Sequence, residues 1–393
     1  MPQPIRRDLL FAGAAAGIFV FGTVMAILGT IFGLPEMHLR LRIDLAQQGT
    51  LFLLLLLGVF LSTAVVGPLI DAIGNKLVLI VSSSLVSVAM VGFSFAHSFS
   101  SAAWAAIILG LGGGGLNTST SALVSDVFGE NRGPMLNLLG VFYGVGALCI
   151  PLLAAVILGH LTIVHLLFFC AAPAAVCALA FSAMTFPPAA SSQRFSLRDA
   201  AQVARYPGVM LLAFLLFCQS GNEASIGGWT STYAGTAQLG SRVATLVLAA
   251  YWAALMGGRL LAARLLASVG KPQMVLGSAI GAVVGSGILL LAQSLIPFVA
   301  GVVLLGLSYA GIFPTVLAIA GDSYRKMAGT VFGLLFSIAL LGGMSFPWMV
   351  GQLSQHLSVR LGMLVPLVGA AAICILASTL WRNQKRSAIS TEG

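Results

Sequence analysis

The stretch LFLLLLLGVFLSTAVVGPLIDAIGNKLVLIVSSSLVSVAMVGFSFAH (51–97) decides the fold. It holds nearly all of one apolar run, near 48–70, and the whole of a second, near 77–97, parted only by a short segment around Asp71 and Lys76. Each run reaches the ~20 residues that an α-helix needs to cross the hydrocarbon core of a bilayer. Neither shows the two-residue alternation of a lipid-facing barrel strand. The pair reads as two membrane-crossing helices joined by a tight connection.

The rest of the chain repeats this pattern. Mean hydropathy is +1.04, with 59% hydrophobic and 7% charged residues over 393 positions; soluble chains carry about a quarter charged residues. Breaks at charges, prolines and polar clusters predict twelve spans, near 9–34, 48–70, 77–97, 101–125, 134–158, 162–185, 208–233, 243–266, 273–294, 297–320, 328–352 and 358–381. The expectation is an all-α integral membrane protein.

The net charge of +9 comes from Lys and Arg scattered in ones and twos, with no basic face or stacking platform for nucleic acid. Topology accounts for them. With a cytoplasmic N-terminus, Arg6, Arg7, Lys76, Arg132, Arg194, Arg198, Arg205, Arg259, Arg264, Lys271, Arg325, Lys326, Arg382, Lys385 and Arg386 fall on the cytoplasmic side. Only Arg40, Arg42, Arg242 and Arg360 fall opposite. Basic residues collect inside, so both termini are expected in the cytoplasm and the chain in a bacterial-type inner membrane. The first apolar stretch, running to Leu34, is too long for a signal peptide core. The five cysteines lie inside apolar runs without CxxC spacing, which indicates neither disulfides nor zinc.

The longest cytoplasmic connection, FPPAASSQRFSLRDAAQVARYP (186–207), divides the chain into 1–186, a linker 187–207, and 208–393. The halves share positions at one offset of 196 residues: Gly110-Leu111 with Gly306-Leu307, Gly115 with Gly311, Ala122 with Ala318, Asp126 with Asp322, Gly133 with Gly329, and Pro151 with Pro347. Small residues and prolines mark close helix approaches and bends, so a common set at one offset predicts two copies of one six-helix unit.

Gly67-Pro-Leu-Ile-Asp71-Ala-Ile-Gly74-Asn-Lys76 resembles the GxxxDxxGxK/R signature of the major facilitator superfamily. The resemblance implies a conformational latch at Gly67, Asp71, Gly74 and Lys76. In the latch, Asp71 accepts hydrogen bonds from a helix N-terminus of the facing half and the glycines permit close approach. A degenerate second copy around Gly258-Arg259 and Gly270-Lys271 has Ala267 in place of the aspartate. ENRGPMLNLLGVFYGVGAL (130–148), EASIGGWTSTY (223–233) and GIFPTVLAIAGD (311–322) are similar to the fucose/glucose symporter branch. That likeness implies twelve helices in two pseudo-symmetric bundles, a sugar site near the bilayer midplane, and uptake coupled to protons or sodium. The sequence departs from the fucose-transporting members in one way: the first span has no carboxylate, and the fourth, GLGGGGLNTSTSALV (110–124), carries Asn117 and hydroxyls where the resemblance leads one to expect an acid.

Of ten acidic residues, only Glu223 lies deep in a span. A charge at the bilayer centre costs about 2.5–3.5 kcal/mol on insertion scales, so such an acid faces water or a partner and is a functional candidate. A protonated glutamate bonded to a neighbouring helix is the structural alternative. Gln219 and Asn222 add amide donors and acceptors beside it. Trp229 offers either an apolar plate for a sugar or an interfacial belt residue. Gly227-Gly228 predicts a local weakening of the seventh helix. Asn117 with Thr118, Ser119, Thr120 and Ser121 forms a polar run, though hydroxyls are often satisfied by their own helix. Tyr309 joins these as a candidate binding or coupling residue, with Asn137, Tyr143, Tyr251, Trp252, Thr315 and Trp348 weaker.

Gly110, Gly112 and Gly115 match GxGxxG, but in an apolar run without a preceding strand, so they read as helix packing. The histidines lack metal-ligand spacing and no nucleophile–base set appears, so no metal, cofactor or enzymatic activity is expected. No Walker motif is present to use ATP. The chain reads as a monomeric secondary carrier of a small polar, sugar-like solute by cation-coupled symport with alternating access. A proton-coupled exporter of amphipathic compounds is the alternative.

Overall fold

The computed structural model describes residues 7–157, 160–187, 201–266 and 268–392. Most of the expected linker, with Arg194 and Arg198, and also Arg6 and Ala267, lie outside the described residues. Among the described residues, twelve helices are long and apolar enough to cross a membrane. In the first half they are α1 Arg7–Ile31, α2 Leu45–Ile73, α3 Asn75–Ser94, α4 Phe99–Phe128, α5 Arg132–Ile157 and α6 Ile163–Ala183. In the second they are α7 Pro207–Thr236, α8 Ser241–Leu265, α9 Lys271–Leu291, α10 Leu295–Ser323, α11 Ala328–His356 and α12 Leu364–Glu392.

Local chemistry sets their ends. Asp44 and Gln47 close a capping box at the start of α2, and Ser98 with Ser101 does so for α4, satisfying N–H groups that have no intrahelical acceptor. Gly74 ends α2 at φ +83° and ψ 157°, a conformation open essentially to glycine alone. A short helix, Pro35–Leu41, follows α1. From it Arg40 donates Nε to Ala96 O at 3.1 Å and a second N–H to Ser94 O. Capping the end of α3 gives this arginine a structural reason to stand against the general charge asymmetry.

Two compact units form, Met1–Arg194 with Gly240–Ala249, and Phe195–Leu239 with Ala250–Gly393. In the first, α2 packs on α4, α1 on α5, and α3 on α4 and α6. In the second, α7 packs on α11 and α9 on α12 and the first part of α10.

The 196-residue offset is visible in these contacts. A Cβ on Gly110 would collide with Leu55 O of α2, and one on its mate Gly306 would meet Tyr251 O of α8 at 2.7 Å. Tyr251 is itself Leu55 displaced by 196 positions. At the second shared glycine the likeness is looser: a Cβ on Gly115 would clash with Ser82, whereas one on Gly311 meets Ala262 and Met274 at 2.9 Å and Ser278, the counterpart of Ser82, only at 3.9 Å. Helices in lipid gain little from burying apolar surface against each other, so backbone approach at glycine supplies the packing.

The copies differ where a proline intervenes. Pro314 lacks an N–H and its ring clashes with the carbonyl four residues back, that of Ala310. Accordingly α10 is broken at Gly311 into Leu295–Ala310 and Ile312–Ser323. Its counterpart α4 carries Thr118 at the equivalent position and runs unbroken. The weakening expected at Gly227-Gly228 does not occur, since α7 is continuous over 30 residues. Gly227 instead makes room for Trp252, whose ring would lie 3.1 Å from a Cβ there.

Candidate functional site

Gln219, Asn222 and Glu223 occupy positions i, i+3 and i+4 of α7, adjacent on a helix surface. Gln219 and Asn222 are fully buried, and Glu223 is partly exposed. Gln219 Nε2 donates to Tyr309 O at 3.1 Å, a carbonyl two residues before the break in α10. The same nitrogen lies 3.5 Å from Glu223 Oε2, the outer limit of a hydrogen bond. Gln219 Oε1, both amide atoms of Asn222, the Tyr309 hydroxyl and Ser286 Oγ are buried without a completed hydrogen bond. The Tyr309 hydroxyl is nonetheless close enough to Ser286 and Asn222 to interact electrostatically. Orphaned buried polar atoms cost about 1–3 kcal/mol each, so a cluster of them is a functional signal.

The second wall is α8. The hydroxyl of Tyr251 donates to Glu223 O at 3.4 Å, and Trp252 fills the notch at Gly227. These contacts set an antiparallel register in which Arg259, two turns beyond Trp252 on the same face, comes level with Gln219 and Glu223. Its guanidinium acts electrostatically on the Glu223 carboxylate. Beside it, a Cβ on Gly258 would meet Ala310 Cβ at 2.7 Å, so α8 and α10 lie backbone to backbone at this height. Sequence reading placed Arg259 among the cytoplasmic charges. It lies inside α8, six residues before the helix ends. Glu223 is therefore not a lone charge.

The other expected residues separate into groups. Trp229 is fully buried, and its Nε1 donates to Pro347 O of α11 at 3.1 Å. This corrects both readings made for it: it ties α7 to α11 and presents neither a sugar plate nor an interfacial edge. Asn117 lies in α4 of the first unit, partly exposed, and Thr120 spends its hydroxyl on Leu116 O of its own helix at 2.7 Å. Tyr309 belongs to the Glu223 cluster.

At the signature segment, Asp71 is exposed on the last turn of α2 and Lys76 opens α3. No atom lies within 4 Å of a Cβ built on Gly67, so close packing does not require that glycine in this structure. Gly74 is required by its backbone angle. In the second copy, Lys271 pairs with Asp322 at the end of α10.

Comparison with known proteins agrees with this architecture. The chain matches the Major Facilitator Superfamily over residues 10–347 and 212–392. It is 25% identical over 381 residues to y4wD of Sinorhizobium fredii, described as an uncharacterized transporter, covering 94% of this chain and 97% of that one. It is also 25% identical over 317 residues to YfkL of Bacillus subtilis, described as an uncharacterized MFS-type transporter, covering 76% and 77%. Among solved structures, a point mutant of the nucleoside transporter NupG superposes with a TM-score of 0.80 at 13% identity, covering 95% of this chain and 99% of that one. These relatives are transporters, not enzymes. With twelve spanning helices and a match across nearly its whole length, this chain is a multi-pass membrane transporter belonging to the Major Facilitator Superfamily.

Proposed function

We propose that the chain moves a small polyhydroxylated solute, a sugar or sugar-bearing compound, by cation-coupled symport with alternating access. The observation that carries this reading is the Glu223 group. It comprises a carboxylate inside the span, amides of Gln219 and Asn222 around it, and carbonyls next to a broken helix. Amide and carbonyl groups match hydroxyls as donors and acceptors, and a membrane carboxylate is the natural carrier of a proton or ligand of a sodium ion. NupG is a nucleoside transporter, and a nucleoside offers ribose hydroxyls of the same chemistry.

The test is counterflow and uptake in proteoliposomes with labelled hexoses, hexuronates and nucleosides under imposed proton or sodium gradients. Gradient-dependent accumulation of one of these is expected. Accumulation of none, together with proton-driven extrusion of amphipathic dyes, replaces the symporter with the exporter.

The charge asymmetry supports cytoplasmic termini in a bacterial-type inner membrane. Moving Arg259 into α8 leaves fourteen of the fifteen counted basic residues on that side, so the bias persists. A reporter fused after Gly393 is expected to read cytoplasmic, and a periplasmic signal would remove this orientation.

A further inference from the structure

We infer that Arg259 and Glu223 together bind the anionic end of the solute, so that the transported compound is a monocarboxylate polyol carried with one proton. The inference rests on the symport reading above and narrows its substrate class.

The geometry comes from three contacts that bring α7, α8 and α10 to one level: Tyr251 on Glu223 O, Trp252 in the notch of Gly227, and Gln219 on Tyr309 O. Arg259 lies seven residues beyond Trp252, and Glu223 four residues before Gly227. At 1.5 Å rise per residue these offsets are about 10 and 6 Å, which leaves the two side chains within about one helical turn along the axis, and an arginine spans that. Both are partly exposed, whereas Gln219 and Asn222 are not. The titratable groups reaching Glu223 are Arg259 and Tyr251 from α8 and Tyr309 from α10. The acid of α10, Asp322, is engaged by Lys271. In α11 the titratable residue is His356, at its far end. The described side chains of α12 carry charge at Arg382.

Arginine N–H groups can donate to sugar hydroxyls, but a neutral sugar leaves the guanidinium charge unused. The planar fork of N–H donors suits a carboxylate, bidentately and with charge assistance. Charge balance then gives the coupling. The empty site holds Glu⁻ and Arg⁺, and the doubly loaded site holds a protonated glutamate and Arg⁺ against the solute carboxylate; both are neutral. A proton alone leaves one positive charge unmatched, and the anion alone leaves one negative charge unmatched. An unmatched charge in a low-dielectric site costs several kcal/mol, so the half-loaded forms cross rarely. A phosphate dianion would leave a residual charge, which favours the carboxylate. Gln219 Oε1, buried without a partner, is an acceptor for the first hydroxyl.

The test uses the full chain in proteoliposomes with D-glucuronate, D-glucose and uridine as probes. Wild type is expected to accumulate glucuronate under an inward proton gradient, acidify the lumen and pass no net current. Arg259→Gln should weaken glucuronate binding about 100-fold, in the range of a lost buried charge partner, and Arg259→Lys by less. If Arg259→Gln does not fold, the double variant Glu223→Gln with Arg259→Gln, which removes both charges, carries the test. It must show no preference for glucuronate over glucose, and a retained preference overturns the inference. Accumulation of glucose or uridine by wild type without glucuronate also overturns it, while leaving the symporter in place. Accumulation of no probe under either gradient removes the symport reading itself.

Discussion

Glu223→Gln is expected to reduce gradient-driven accumulation at least tenfold, to the level of passive equilibration, while solute exchange across the membrane persists. Glutamine keeps the volume of glutamate and its capacity to accept a hydrogen bond from Gln219, but it neither binds a proton reversibly nor carries charge. From the sequence alone, with Glu223 the only deep charge, the same substitution should leave folding untouched. The structure changes that expectation, because Arg259 then loses its counter-charge inside the bundle. Removing one member of a buried pair costs about 3–5 kcal/mol, and both side chains here are partly exposed, which puts the cost below that range. A modest drop in thermal midpoint is expected for Glu223→Gln, with recovery in the double variant that also has Arg259→Gln. Such coupling between neighbours is what a double-mutant cycle measures. Wild-type accumulation by the glutamine variant, assayed in proteoliposomes, would show that Glu223 is neither a coupling group nor an essential charged ligand.

What the sequence made legible follows from which physical signal is local. Twelve spans could be read because each is a run of ~20 apolar residues, and the structure has helices over every one of them. The repeat could be read because glycine at a helix crossing is a strict steric demand, and Gly110 and Gly306 meet the same demand against Leu55 and Tyr251. The break in α10 was within reach. Gly311 followed by Pro314 is a stronger helix breaker than Gly227-Gly228, because proline removes a hydrogen bond whereas glycine only lowers propensity.

Arg259 was missed for a different reason. It stands among the cytoplasmic charges although it falls seven residues inside the run near 243–266. At 1.5 Å per residue that places it about 10 Å from the end, deep enough to count as an intramembrane charge. Trp229 was beyond reach. Whether an indole faces a cavity, the interface or a neighbouring helix depends on the partner carbonyl of Pro347, 118 residues away, and no local pattern encodes that.

Gly110→Val is expected to abolish the folded protein, with a loss of about 4 kcal/mol or more, beyond what single substitutions ordinarily cost. The reason is the atom that the new side chain meets. A Cβ at this position falls onto Leu55 O, with Leu55 C at 2.9 Å and Gly58 Cα at 3.0 Å. These are backbone atoms of α2, which move only if the whole helix moves. Gly58 is placed reciprocally, since its own Cβ would meet Ile107 O at 2.5 Å and Leu111 N at 2.9 Å. Displacing α2 would break that second approach as well, and with it the van der Waals contact that holds helices together where water supplies no driving force. Gly306→Val should be severe but milder, because its nearest neighbour, Tyr251 O, stands at 2.7 Å. Gly67→Ala supplies the control. Nothing lies within 4 Å of its Cβ, and alanine is favoured over glycine within a helix by about 0.5–1 kcal/mol, so this variant should match or exceed wild type. Fluorescence-detected size exclusion and thermal midpoints of the three variants should rank Gly67→Ala first, Gly306→Val next and Gly110→Val last. A Gly110→Val protein that elutes and melts like wild type would show that α2 and α4 are not in backbone contact, and the packing repeat would lose its first member.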